Sequence, residues 1–409
     1  MIFFDETQAW RSLRLLENAV FAKHVLQRLH GSRNGSDSLQ ESAFNLSAHV
    51  AQARSFFDAA GRVPFTSQPL LFYYGILNFA KALIILATPS KVRKLEAHKH
   101  GVSSQKRKRV KYDYMSDTVV IQPTGVFLDW YAAVANLEMD FVKTSNTNQE
   151  AALEPSSDRA AEGNSLKAGD SHHERAFVRS GDIQPDSRAT LGKLPLRISE
   201  LWRAIPEAKE VLQVLNITSR CGPFHCWANN QGRYTVTVER SWLQNCGLTV
   251  DEGKTAVKAL AYQAQSVDDV SVVQSLDHTH RLVGSFSNDY IYSGKPYEPV
   301  PGPGIITYSP LYRHKWATMP RISPDLTGVK WLCIPPLPIH LISSMTLGEP
   351  FIHYLLLFHL SMLQRYDAEQ WLDLIGDSTT QESILIERLC DATRRYFPSF
   401  VAQFFDSSQ

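Results

Sequence analysis

Leu70-Leu-Phe-Tyr-Tyr-Gly-Ile-Leu-Asn-Phe-Ala-Lys-Ala-Leu-Ile-Ile-Leu-Ala87 is the most hydrophobic stretch of this 409-residue chain. Its length would let it cross a bilayer. Asn78 and Lys81 sit near its middle, however, and a charge at the centre of a bilayer costs about 2.5–3.5 kcal/mol. The stretch therefore reads as a buried core helix. Pro64 and Pro69 bracket a short extended segment before it, and Pro89 follows its end.

Upstream, residues 6–58 read as helical. Trp10, Leu13, Leu16 and Phe21 keep helical spacing, and the polar turn Gly31-Ser-Arg-Asn-Gly-Ser36 interrupts the run. Phe44, Val50 and Phe57 mark a second helix that stops near Gly61. Downstream, Val119-Val-Ile-Gln122 is a short β-like run, Gly125 a turn, and Phe127 to Val134 a helix. Between Thr144 and Ala176 there is no aromatic residue, and such a stretch buries too little apolar area to offset its ordering entropy. A disordered insertion over residues 143–192 is the expectation. After it, Leu194 to Leu215 reads as a helix. Tyr234-Thr-Val-Thr-Val238, Ile305-Ile-Thr-Tyr308 and Trp331-Leu-Cys-Ile334 read as strands, and Pro350 to Trp371 and Ser383 to Phe397 as helices. The expected architecture is α+β: a helical part at residues 1–142 packed against another at 346–409, with a mixed, β-rich region at 193–345 between them.

The 42 Lys and Arg against 41 Asp and Glu exclude a polycation or an acidic tail protein, and a charged fraction of 20% with an aromatic fraction of 11% excludes a wholly disordered, collagen-like or coiled-coil chain. The balance is uneven along the chain. Residues 91–111 hold nine basic residues (Lys91, Arg93, Lys94, Lys99, Lys106, Arg107, Lys108, Arg109 and Lys111) and one acid, Glu96. A cluster of this kind attracts anions and neutralises phosphates, and Tyr112 and Tyr114 beside it suit stacking on unpaired bases. A solvated surface loop and a nuclear-import tag are the alternative readings. Within the same run, Arg93 is followed by His98 and His100 at the Arg-x4–6-His spacing of HEPN-type ribonucleases. In those enzymes His handles protons and Arg the phosphate charge. Arg220 and His225 share that spacing, which matches the number of such pairs expected by chance, so the spacing alone is weak evidence.

The helix beginning at Pro350 is apolar nearly all round, with His353, His359 and Arg365 as polar exceptions pointing to different sides. Arg365 reads either as a structural anchor with a carbonyl or acidic partner, Asp367 or Glu369 among them, or as an anion-binding group in a cleft. His278-Thr-His280 and Cys221-x4-Cys226 each lack a second pair of ligands, so neither metal nor cofactor is expected. A Walker loop, a dinucleotide-binding glycine motif and a Gly-x-Ser-x-Gly elbow are all absent. The first residues lack a secretory n-region, the five cysteines are sparse, and the chain's end shows no lipidation signal. The expectation is a cytoplasmic protein with no membrane association.

Four segments carry a family resemblance. They are Pro69-Leu-Leu-Phe-Tyr-Tyr-Gly-Ile-Leu-Asn-Phe-Ala-Lys-Ala-Leu83, His100-Gly-Val-Ser-Ser-Gln-Lys-Arg-Lys-Arg109, Val119 to Phe127, and Leu360-Ser-Met-Leu-Gln-Arg365-Tyr366 through Trp371. In this order they resemble the bacterial YaaC-like family, with Asp367-Ala368 standing where that family has an acid-Pro pair. The resemblance implies a soluble bacterial protein and brings no activity with it; the helical part is also loosely similar to HEPN domains. The expected function is binding of RNA, a nucleotide or another polyphosphate through His100-Gly101 and Lys106–Lys111. The expected chemistry is that of a metal-independent ribonuclease using Arg93 with His98 or His100. A non-enzymatic scaffold whose basic segment docks an acidic partner is the rival, and a homodimer is the expected assembly.

Overall fold

A computed structural model describes residues 6–30, 36–91, 99–105, 113–134, 137, 194–228, 234–239, 246–247, 290–293, 323–324, 330–333, 347–376 and 380–406. The expected insertion at 143–192 and the expected strand at 305–308 lie outside these residues.

Four helices open the chain: α1 (Glu6–Leu16), α2 (Ala19–His30), α3 (Ser36–Ala60) and α4 (Gln68–Ala87). The continuous first helix expected from the sequence is in fact two. Asn18 breaks it, its side-chain oxygen accepting the backbone N–H groups of Val20 at 2.9 Å and Phe21 at 3.3 Å, which satisfies donors at the start of α2. Pro69 falls in the first turn of α4, where its missing N–H costs nothing, and Thr88 closes the helix just before Pro89. Helices α3 and α4 pack side by side, with Trp10, Phe57, Phe72 and Phe79 in mutual ring contact between 5.1 and 6.0 Å.

The apolar stretch behaves as a core helix. It is the one span among the described residues with the length and composition to cross a membrane, and 72% of its most apolar window is buried inside the protein. What covers it comes largely from the other end of the chain. Helix α8 (Glu349–Tyr366) lies against α4, and its residues from Glu349 to Ser361 are all buried. Helix α9 (Ala368–Ile375) follows, and helix α10 (Gln381–Asp406) packs on both α1 and α4. One continuous hydrophobic core joins the two chain ends, as an α+β fold with packed helical termini requires.

Between them lies a small antiparallel sheet with strand order β1-β2-β3: β1 (Val102–Gln105), β2 (Thr118–Ile121) and β3 (Pro195–Arg197). A further helix, α5 (residues 126–134), presses Phe127 and Trp130 against Phe351 and Tyr354 of α8. The expected helix at 194–215 is corrected here. Its first residues form β3, paired with β2, and only α6 (Ile198–Arg203) and α7 (Lys209–Val214) are α-helical, separated at Pro206. Sheet pairing overrides the local helical pattern. Strand β1 was not expected either, because its Ser-Ser-Gln sequence has no alternation of its own.

A second, five-stranded antiparallel sheet has the order β6-β5-β4-β8-β7. It comprises β4 (Cys221–Ala228), β5 (Tyr234–Glu239), β6 (Tyr290–Ser293), β7 (Ser323–Pro324) and β8 (Lys330–Cys333). This is the β-rich middle region, with the strands near 234 and 331 as expected. Two C-terminal boundaries also shift. Asp367 (φ −143°, ψ 62°) divides the helix expected over 350–371, and α10 runs through Pro398 to Asp406. Burial of Phe397, Phe400 and Val401 offsets the backbone hydrogen bond that Pro398 forgoes.

Candidate functional site

His100 is held by a backbone crossing. Gly101 has φ +83° and Gly125 φ +122°, and a Cβ on Gly125 would lie 2.6 Å from both Cα and N of Gly101 and from the Lys99 carbonyl oxygen. Only two glycines allow the segments to meet this closely. Three hydrogen bonds then lock them: Val126 N–H donates to Lys99 at 2.9 Å, Phe127 N–H to His100 at 3.2 Å, and Gln122 N–H to Gly101 at 2.8 Å. The carbonyl of His100 also accepts the Tyr354 hydroxyl at 2.9 Å.

The imidazole of His100 faces α4 and α8. Its Nδ1 lies 2.7 Å from the Tyr73 hydroxyl, which in turn lies 3.5 Å from that of Tyr354. Tyr354 gives its proton to the His100 carbonyl, and the short 2.7 Å bond joins the Tyr73 hydroxyl to Nδ1 of His100, with the donor set by the imidazole tautomer. Burial, then the charges of Arg365 and Lys81, holds His100 below its ordinary 6.5, so the imidazole is neutral at pH 7. Burial likewise pushes the phenols of Tyr73 and Tyr354 well above 10 and keeps them protonated.

Arg365 reaches the same place from the end of α8. Its Nη1 donates to the Tyr74 hydroxyl at 3.0 Å and its Nε to the Ser361 carbonyl at 3.1 Å, while Nη2 lies 3.2 Å from the sulfur of Met362. The guanidinium sits 5.7 Å from the ring centre of Tyr74 and 5.1 Å from that of Tyr366. Among the described residues no carboxylate lies within 4 Å of it. The carbonyl partner expected for Arg365 is therefore present, whereas Asp367 and Glu369 do not pair with it.

His100 and Arg365 are thus brought together, with Lys81 close enough for its charge to act on His100. Arg93, His98, Lys106, Arg107, Lys108, Arg109 and Lys111 lie outside the described residues. Lys91 is partly neutralised by Asp129 at 3.2 Å. Tyr73, Tyr74, Lys81 and Tyr354 were not anticipated as site residues. The available signal was a pair of adjacent tyrosines in a largely apolar helix, since a buried phenol requires a hydrogen-bond partner.

The other histidines of α8 point elsewhere, as their spacing predicts. His353 is fully buried between Glu349 (Nε2 to Oε1, 3.3 Å) and Thr393 (Nδ1 to Oγ1, 2.8 Å). His359 is also fully buried and lies between Ser104 and Asp117.

No curated protein and no solved structure matches the chain. The sequence profile of the YaaC-like Protein family matches residues 14–405 and so spans both helical ends, the small sheet and the His100–Arg365 cluster. The chain belongs to the YaaC-like protein family.

Proposed function

We propose that this protein binds RNA or another polyphosphate at the surface where His100, Lys81 and Arg365 converge, with the Lys106–Lys111 segment extending the contact. One observation carries the reading. Arg365 comes from a position 265 residues beyond His100, yet it anchors on Tyr74, whose ring lies 5.5 Å from that of His100's partner Tyr73, and no described carboxylate neutralises it. A guanidinium anchored through a tyrosine hydroxyl and a carbonyl, rather than through an acid, keeps its full charge for an anionic ligand. Strand β1 spans only residues 102–105, so in sequence the basic segment starts at Lys106, five residues after Gly101, and its cations would add to the attraction for phosphate.

The chemical form of the proposal is metal-independent cleavage of RNA. In this reading the neutral His100 takes the 2′-hydroxyl proton, and Arg365 is the cation for the phosphate charge that develops. The test uses labelled single-stranded RNA and DNA of equal length with wild type, His100→Ala, Arg365→Gln and a variant neutralised at Lys106–Arg109. Binding should weaken steeply with salt and fall in the Arg365 and Lys106–Arg109 variants. RNA products should form in the presence of a chelator and vanish with His100→Ala. No binding and no cleavage at low salt would refute the proposal.

A further inference from the structure

Ser104, His359 and Asp117 form a hydroxyl–imidazole–carboxylate chain that the anion site does not use. Ser104 Oγ lies 2.7 Å from Nδ1 of His359, and Oδ2 of Asp117 lies 3.2 Å from Nε2 of the same ring, an ion-pair contact outside hydrogen-bond alignment. The imidazole is fully buried, the Asp117 side chain is 1% exposed, and Ser104 alone is half-buried, at the accessible end of the chain. The three residues come from β1, the residue just before β2, and α8, so tertiary packing alone assembles them. The ring of Tyr114 lies 5.7 Å from that of His359 and helps hold it in place.

Strand geometry adds a fourth group. Gln122 N–H donates to the Gly101 carbonyl, which makes 101 and 122 a hydrogen-bonded pair. In an antiparallel ladder such pairs alternate, so 103 with 120 and 105 with 118 are also bonded, whereas 104 opposite 119 is not. The backbone N–H of Ser104 therefore points away from β2, and among the described residues β1 is an outer strand of the sheet. An N–H on the nucleophile's own residue is a donor suited to the oxyanion that forms when that hydroxyl adds to a carbonyl.

We propose that Ser104 is a nucleophile, with His359 as its general base and Asp117 as the residue that positions the imidazole, and that it takes a carboxylic ester. The Ser104 oxygen bonds to the carbonyl carbon while its proton passes to Nδ1 of His359. Collapse of the adduct breaks the bond to the leaving alkoxide, which takes that proton, and water then releases the acyl group by the same steps. The arrangement differs from the familiar hydrolase elbow in offering Nδ1, rather than Nε2, to the hydroxyl. It is independent of the anion site, so either proposal can fail alone.

A fluorophosphonate probe tests this on the full chain. The Ser104 oxygen bonds to phosphorus, fluoride leaves, and the proton goes to His359. Peptide mass spectrometry should find the adduct on Ser104, and Ser104→Ala should abolish it. In His359→Gln, whose amide can keep the contact to Ser104 without acting as a base, the inactivation rate should fall at least about 100-fold. In Asp117→Asn that rate should fall while the half-saturating probe concentration stays unchanged, an effect that loss of packing alone would not produce. Circular dichroism confirms that each variant is folded. An unlabelled wild-type Ser104, an adduct on another residue, or a rate insensitive to His359→Gln would overturn the proposal.

Discussion

Replacing Gly125 by Ala tests whether the backbone crossing really holds His100. Gly125 has φ +122°, where an L residue is strained, and its new methyl would meet three backbone atoms at 2.6 Å. Backbone atoms cannot rotate away as a flexible side chain can. The conformational strain is worth about 1–3 kcal/mol, and overpacking adds roughly 1–3 kcal/mol. The expected destabilisation is therefore about 2–6 kcal/mol, toward the upper end because Gly101 and Lys99 are themselves held by hydrogen bonds to residues 122 and 126. Gly61→Ala supplies the control. Gly61 has no positive φ, and its nearest contacts, at 3.7 and 3.8 Å, are ordinary, so that change should stay within about 0.5 kcal/mol. Urea unfolding followed by tryptophan fluorescence measures both, since Trp130 and Trp202 are fully buried in the same core. A Gly125→Ala protein within 1 kcal/mol of wild type would show that the crossing is not rigid, and the placement of His100 would lose its basis.

The His100 environment predicts a titration below 6.5, and Arg365→Gln should move it upward because removing a cation favours the protonated ring. Imidazole NMR against pH reads both, and an unmoved His100 resonance in the variant would break the proposed coupling. The sign for stability follows: the unfolded chain protonates this histidine first, so falling pH costs stability from about 6.5 down to the lower folded value. Asn18→Ala removes the cap of α2 and should cost about 1 kcal/mol, measured as a lower unfolding midpoint; no change would mean that the cap is replaced by water. Thr393→Val leaves Nδ1 of the buried His353 without its hydroxyl partner and should cost about 1–3 kcal/mol, with a neutral result arguing that the ring re-pairs.

Some of this was legible before any coordinates. The apolar run with Asn78 and Lys81 in it reads as a core helix, and burial bears that out, with Asn78 bonded to both His49 and the Tyr74 carbonyl. The separate directions of His353, His359 and Arg365 follow from helical rotation alone. What failed were the segments whose state is set by a neighbour: Leu194 onward, where pairing with β2 wins over a helical pattern, and Val102–Gln105, where a strand forms with no alternation to announce it. The break at Asn18 was readable in principle, because Asn before an apolar-periodic run is a capping signal.

The sequence by itself determined where α4 and α8 form and that each is buried, because periodicity and apolar content are local properties. It also determined that charge is concentrated at 91–111 and that the chain carries the family's segments in order. Only the tertiary structure decided which polar groups meet. His100 is brought near Arg365, and Ser104 meets His359, across more than 250 residues, with Asp117 on the far side of the same ring, through the packing of α8 on α4 and β1. The cationic segment was visible as composition, but the groups beside it were not. A hydrogen-bonded cluster is a fact of distances of about 3 Å, and such distances are fixed by the fold's packing rather than by spacing along the chain.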